Sequence, residues 1–424
     1  MKKSPTLTNT KGYSKFGLSV LLALFSFALS AQQNFKEYKG TVTDVNSNDE
    51  LPFANVTLTG TNIAVITNSE GNFAIKVPDS LQNGQLEISF LGYYPETMKL
   101  ENFDQEITTI ALKPRTTELQ EVNVNQYKDA EGLLKKVMAK RGDNYTNEAS
   151  AMTAFYRESI KRGRRNVSLA EAVVMIDKSP YTTNARDRVD LYKARKSTDY
   201  KRLDTIALKL QGGPLNALYI DLIKYPEYFI TPETMPYYDF SFGQPTTVDG
   251  TLVHVINFKQ KKNVLEPMYY GKLYINSETL ALTNAVYSLN VENRSLSSKL
   301  FVRKKPNAVK VWPDHVDYRV DYREKDGKWY FAYGNVQLEF VVNWKRKLFN
   351  SHYTISSEML VTDWESSEGV YANNLKRYRS NDILVDEADG FTDPDFWGAY
   401  NVIEPEKSIE SAIEKIQRQL KKED

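Results

Sequence analysis

The chain has 424 residues, is 41% hydrophobic and 12% aromatic, and carries a formal charge of +1, which excludes a disordered polymer and suits two or three domains with buried cores. It contains no cysteine, so disulfides, thiol catalysis, thiolate metal sites and the lipid-bearing N-terminal cysteine of bacterial lipoproteins are excluded. The near-neutral balance argues against nucleic acid as a main partner.

Lys2, Lys3, Lys11 and Lys15 precede and flank the apolar run Phe16 to Leu29, and Ser30 and Ala31 follow it. This order predicts a secretory signal over 1–31, cleaved before Gln32. Its loss removes four lysines and no acids, taking the formal charge to −3. The run is short for a bilayer span, and no later stretch reads as a transmembrane helix. An exported protein is expected, periplasmic or associated with the outer membrane, and not a lipoprotein.

From 32 to 113, short runs rich in Val, Thr, Ile and Phe alternate with polar clusters at Asp44 to Glu50, Asn68 to Asn72 and Pro78 to Gly84, which predicts antiparallel strands joined by tight turns. Gly60, Gly71 and Gly92 stand where turns need a positive φ. The pieces KGTVTD, PFANVTLTGT, TNSEGNFAIKVP and ISFLGY resemble the carboxypeptidase regulatory-like domain, an immunoglobulin- or transthyretin-like β-sandwich common at the N-termini of Gram-negative envelope proteins. The resemblance covers about a fifth of the chain and implies a scaffold without chemistry, since that domain accompanies zinc carboxypeptidases and the hydrolytic part has no counterpart here. Asp44, Asn46, Asp49 and Glu50 have the oxygen chemistry of calcium ligands, but Asx residues favour turns on their own account, and a solvated turn is the expected reading.

Residues 114–127 read as a polar linker. ELQEVNV within it resembles the segment after this domain in TonB-dependent receptors, yet with only about 300 residues remaining a receptor plug and large barrel do not fit. The remainder, 128–424, is expected to be one antiparallel sheet domain. A helix is predicted over 129–141 from Leu133, Leu134, Val137 and Met138. A hairpin follows, with strands near 151–161 and 166–177 around Gly163. The many bases from Lys161 to Arg202 are interleaved with Asp187, Asp190, Asp199 and Asp204, so a solvated mixed face is preferred to a polyanion site. Pro214 and the apolar positions from Leu215 to Ile223 predict a second helix over 214–224, and Pro226 to Pro245 reads as a loop.

Alternation is clearest from Thr251 to Asp363. Leu252, His254, Ile256 and Phe258 share one strand face; Tyr269, Leu273 and Ile275, then Tyr287, Leu289 and Val291, share the next two. Val316, Tyr318, Val320 and Tyr322 alternate with Asp317, Arg319, Asp321 and Arg323, and a turn at Lys325 to Gly327 leads to a long strand ending at Trp344. The fold class is therefore mainly β: a sandwich followed by a large half-buried antiparallel meander with a few packing helices. Its plan is similar to the half-barrels of periplasmic lipoprotein carriers; an outer-membrane barrel is the alternative.

After Trp364 the chain is acidic, and DEADGFTDPD lacks the spacing of an EF-hand. FWGAYNVIEPE then gives an aromatic anchor, and a last helix is predicted over 405–422. With the sandwich, the pieces FYRE, LQGGP, GKLY, TDW and FWGAYNVIEPE resemble a group of secreted envelope proteins described only by their first domain.

No H-E-x-x-H or G-x-S-x-G is present, and His254, His315 and His352 lie on separate strands, so catalysis is not expected. Asp363 and Glu365 beside Trp364 are the carboxylates that a glycan-active hydrolase, the alternative reading, would pair. A non-catalytic envelope binding or scaffold protein is expected, with no cofactor. Leu252, Ile256 and Phe258 would line an apolar groove for a lipid, lipoprotein or peptide. The expected partners are that ligand or other envelope proteins, with peripheral contact at the outer membrane.

Overall fold

Alternation builds the first strands: in Ile107–Leu112 every second residue is buried, as one core-facing side requires. The computed structural model describes residues 35–103, 107–115, 129–163, 165–198, 212–228, 230–302, 305–345, 347–366, 375–390 and 396–406. The expected signal segment, residues 116–127 of the expected linker, and the predicted C-terminal helix beyond 406 lie outside the described residues.

Strands β1 (Phe35–Asp44), β2 (Asn55–Leu58), β3 (Ala64–Ile66), β4 (Asn72–Pro78), β5 (Gln85–Ser89), β6 (Glu96–Lys99) and β7 (Ile107–Leu112) form the sandwich. One sheet has the order β4-β1-β7 and the other β3-β2-β5-β6, and Val42, Val56, Ile75 and Ile88 are fully buried between them. At the turn before β4, Asn68 Oδ1 accepts from the Glu70 and Asn72 amides at 2.9 and 3.0 Å. Gly71 closes that turn at φ +71°, where a Cβ would stand 2.8 Å from the Val42 carbonyl; only glycine meets both demands.

The second part opens with helices α1 (Ala130–Ala139) and α2 (Arg141–Asn144) and strands β8 (Ser150–Arg162), β9 (Arg165–Lys178) and β10 (Arg188–Thr198). Helix α3 (Gly213–Leu218) follows, then β11 (Tyr238–Phe242), β12 (Thr246–Val248), β13 (Thr251–Gln260), β14 (Tyr269–Asn276) and β15 (Leu282–Leu289). Helix α4 (Arg294–Phe301) leads to the long strands β16 (Val309–Lys325), β17 (Lys328–Trp344) and β18 (Ser351–Ser366), and β19 (Lys376–Arg377), α5 (Leu384–Glu387) and β20 (Asp389–Gly390) complete the chain. The sheet runs β11-β13-β14-β15-β16-β17-β18-β8-β9-β10-β19. The meander is as expected, and β8, first in sequence, docks on β18 and extends it.

Among the described residues, β11 and β19 end the path and do not pair with each other, so the sheet is open and the outer-membrane barrel is corrected. A barrel needs an apolar band facing lipid all round; here each face packs part of its apolar residues into a protein core. One face, the inner, packs under α1, α3, Tyr219 to Ile223, Ile230 and Met235 and under Phe301 at the end of α4. The other, the outer, carries Phe155, Val173, Tyr333 and Leu360 into the same core as the sandwich.

Helix α1 forms as predicted, with Asp129 Oδ1 accepting from the Gly132 amide at its start. The second helix stops at Leu218 rather than 224, because Asp221 is drawn into a buried cluster. Lys178 Nζ donates to Asp187 Oδ2 and Asp221 Oδ2, both at 2.8 Å, and the Tyr322 hydroxyl donates to Asp221 Oδ1 at 2.8 Å. Burial alone would lower the Lys178 pKa, but the two carboxylates outweigh it and hold the ammonium protonated. Breaking such a buried pair from one side leaves an uncompensated charge, so this cluster fixes the turn after α3 onto β9.

Candidate functional site

The strand registers align one row of residues straight across the inner face. It reads Phe240, Phe258, Gly271, Tyr287, Tyr318 and Val336, then Ser357, Glu158, Ala170 and Lys196. One residue comes from each of ten strands, so the row crosses from an aromatic end to a polar one. Its flanks are filled differently. On one side Ile256, Leu273, Ala285, Val320, Met359 and Tyr156 belong to the core under α1 and α3. On the other, Leu289, Val316, Leu338, Ile355 and Ile160 belong to a separate core beside α4, where Phe301 meets Phe340 edge-on at 5.9 Å.

Between these cores the aromatic end is only partly covered. Phe240, Tyr269, Tyr318 and Val336 are half-buried, and the last three border both cores. Tyr287 and Tyr318 stack at 4.9 Å and 9°, and Tyr269 stands edge-on to both at 5.5 and 5.8 Å. Gly271 gives these rings their space: a Cβ there would lie 2.5 Å from Tyr287 Cα. Offset aromatic packing of this kind makes a stiff apolar wall.

The polar end is different in kind. Glu158 is 3% exposed, and its Oε2 accepts from the Tyr156 hydroxyl at 2.9 Å, which in turn accepts from Ser357 Oγ at 3.1 Å. Burial pushes its carboxyl from an ordinary 4.5 up to about 8, with the Tyr156 hydrogen bond pulling the other way. The group is therefore protonated near neutrality and presents a neutral hydrogen-bonding head rather than a charge.

Neighbouring side chains on β8 point to the outer face and do ionic work. Arg157 Nε donates to Glu171 Oε1 at 2.8 Å, Nη1 to Glu358 Oε1 at 3.3 Å and Nη2 to the Ile403 carbonyl at 2.7 Å. Burial raises Glu171, but Arg157 and Arg195 together outweigh it and leave the carboxyl below its usual range. Over this network lies the segment Phe396 to Glu406. Trp397 meets Phe155 edge-on at 5.6 Å and lies under the Arg195 guanidinium at 4.7 Å. Asn401 Oδ1 accepts from the Lys76 amide at 2.7 Å, and Asn68 Nδ2 donates to the Glu404 carbonyl at 3.3 Å. FYRE and FWGAYNVIEPE, far apart in sequence, thus form one joint between sandwich and sheet. A polar cavity of about 120 Å³ remains there, with Asn68, Arg157 and Gln337 in its wall. That is below the roughly 300 Å³ at which ligand pockets begin.

The residues expected to line a groove are distributed otherwise. Ile256 is fully buried and Phe258 is 3% exposed, both in the core, while Leu252 is half-buried at the start of β13, outside both inner-face cores. The expected groove is filled at Ile256 and Phe258, because α1 and the segment after α3 cover that stretch, and Leu252 lies apart from them; the partly open wall lies further across the same face. Asp44 Oδ1 accepts from the Asn46 and Ser47 amides at 2.6 and 3.0 Å and Oδ2 from the Tyr93 hydroxyl at 2.7 Å, the turn that the sequence favoured. Among the described residues no group of three or more His, Asp or Glu converges as a metal site.

Of the interleaved acids after β9, Asp187 and Asp190 are buried rather than solvated, with Arg188 Nη2 2.8 Å from Asp190 Oδ2; Asp199 and Asp204 lie outside the described residues. Asp363, raised by burial, precedes the buried Trp364, whose ring packs at 5.2 Å on Tyr330. His254 is buried, and burial lowers its pKa. Sequence reasoning missed Glu158. The signal was its parity: Met152, Ala154, Tyr156 and Ile160 share its strand face, and one acid among them is out of place on an apolar side.

Comparison with known proteins bears on these observations. Residues 38–124 match the family model of the CarboxypepD_reg-like domain. No curated protein matches the chain. Among solved structures, a DUF1329 family protein from Desulfovibrio piger is 12% identical, with 57% of this chain and 95% of that one covered at a TM-score of 0.24. A putative outer membrane lipoprotein-sorting protein domain from Vibrio parahaemolyticus is 10% identical, with 58% and 95% covered at 0.25. Lipovitellin is 8% identical, with 57% of this chain and 28% of that one covered at 0.25. Scores at this level leave the fold to rest on the strand pairing itself.

Proposed function

We propose that this is an exported, non-catalytic binding protein of the cell envelope that holds an apolar ligand, an acyl chain or an apolar peptide segment, against the aromatic end of the inner-face row. The observation that carries this reading is the half-buried wall of Phe240, Tyr269, Tyr318 and Val336 between two filled cores. Each CH₂ buried there contributes about 0.8 kcal/mol, so roughly ten methylenes bring the affinity into the micromolar range. The neutral Glu158 carboxyl, in the same row, suits a polar but uncharged group at one end of such a ligand.

The test is to extract the purified protein for bound lipid and to titrate it with a fluorescent fatty acid. Tyr318→Ala and Val336→Ser, at half-buried positions, should keep the fold and weaken saturable binding by about fivefold or more. No extracted lipid and no saturable binding in the wild type would overturn the ligand reading and leave a scaffold role, in which the joint between sandwich and sheet only presents surfaces to other envelope proteins.

A further inference from the structure

Three connections lie side by side at one end of the large sheet. The hairpin turn between β17 and β18 is next to the turn between β8 and β9, since the Gly163 amide donates to the His352 carbonyl at 3.1 Å. It is also next to the chain leading into β16, since the Lys345 amide donates to the Ala308 carbonyl at 3.1 Å. The described residues of 160–168, 294–313 and 340–353, which form this end, include nine Lys and Arg and no Asp or Glu. In a chain with a formal charge of +1, such segregation is a strong local field. Arg165, Lys299, Lys305, Lys310, Lys345 and Lys347 are exposed there.

Apolar side chains stand at the tips among these cations. Leu348 is 90% exposed, Phe349 79% and Leu300 57%. Behind them Trp344 is half-buried, with Lys347 Nζ 5.2 Å from the centre of its ring. Protruding apolar tips ringed by lysines match the interface of an anionic bilayer, where the tips enter the acyl boundary and long cationic side chains reach the phosphates. Nucleic acid would use the cations, but an aliphatic tip such as Leu348 offers its bases no stacking face. The cationic stretch ends at the neighbouring β13 to β14 hairpin, where Glu266 and Glu292 enter the wall of a polar cavity of about 490 Å³.

We infer that this end of the sheet is a docking edge for an anionic phospholipid surface, with Leu348 and Phe349 as the inserting pair. The inference stands independently of the groove reading, because none of these tips belongs to the inner-face row. It is tested by co-sedimentation of residues 32–424, which include every described residue, with vesicles of phosphatidylcholine alone or with phosphatidylglycerol added. Wild type should bind only the anionic vesicles, and less at high salt. Leu348→Ser with Phe349→Ser should weaken binding at least about tenfold, as should Lys345→Glu with Lys347→Glu; all four positions are exposed, so urea midpoints should stay unchanged. No binding by the wild type, full binding by the Leu348 and Phe349 double variant, or equally tight binding to a DNA duplex would each overturn the inference.

Discussion

Glu158→Gln isolates the buried carboxyl of the inner face. Its pKa is raised from 4.5 to about 8, so below pH 4.5 both folded and unfolded chains hold the proton and stability is unaffected. Between 4.5 and about 8 the unfolded chain releases the proton while the folded one keeps it, and stability falls as pH rises. Above about 8 both are ionised and the loss levels off. At about 1.4 kcal/mol for each pH unit of that gap, the wild type gives up on the order of 5 kcal/mol across the window. Glutamine cannot ionise, and its amide oxygen still accepts from the Tyr156 hydroxyl. The variant should match the wild type within about 1 kcal/mol at pH 5 and exceed it increasingly at pH 7 and 9. Urea unfolding at the three values measures this directly. Glu358, also raised by burial, faces the other side of the sheet and contributes to both proteins alike, so it cancels. Parallel stability profiles would refute the argument, since they would mean that Glu158 reaches water or a cation in solution.

Two other outcomes follow. Trp397→Ala removes the ring between Phe155 and the Arg195 guanidinium and should cost about 3–5 kcal/mol, seen as a lower urea midpoint; a change below about 1 kcal/mol would mean that the joint contributes little. Intact mass of the exported protein should show loss of residues 1–31, and a full-length cytoplasmic product would count against export.

The strands with alternating apolar residues were legible in sequence because alternation is what a half-buried strand needs, although β13, β14 and β15 each contain a run buried on both faces. β10 was not legible: its charges hide a strand whose partners lie on β9 and in the late segments β19 and β20. β11 was read as loop because Pro226 to Pro245 is dense in prolines and tyrosines, yet pairing with β13 decides its conformation. Helix α4 has only Leu296, Leu300 and Phe301 as apolar signal and forms with Asn293 Oδ1 accepting from the Leu296 amide. The alternation of β16 revealed a charged face but not its surroundings. That face is not uniformly solvated: Asp321 is 2% exposed, and Arg319 lies 5.1 Å from the Phe53 ring of the sandwich. The candidate site was legible only as a face, because the row depends on register between ten strands, and register is set by pairing rather than by any one strand's pattern.

The joint between sandwich and sheet also constrains the order of events in time. The sandwich is complete in sequence by Leu112, yet Asn68 waits for Glu404, and the Lys76 amide for Asn401, each more than 300 residues later. Contacts so distant along the chain close last and close slowly. A chain threaded across a membrane from its N-terminus would therefore spend its whole passage with Phe53, Ile66 and the edge of the sandwich unprotected, and would reach its native state only after the final segment arrives. Such an intermediate exposes apolar surface and invites aggregation.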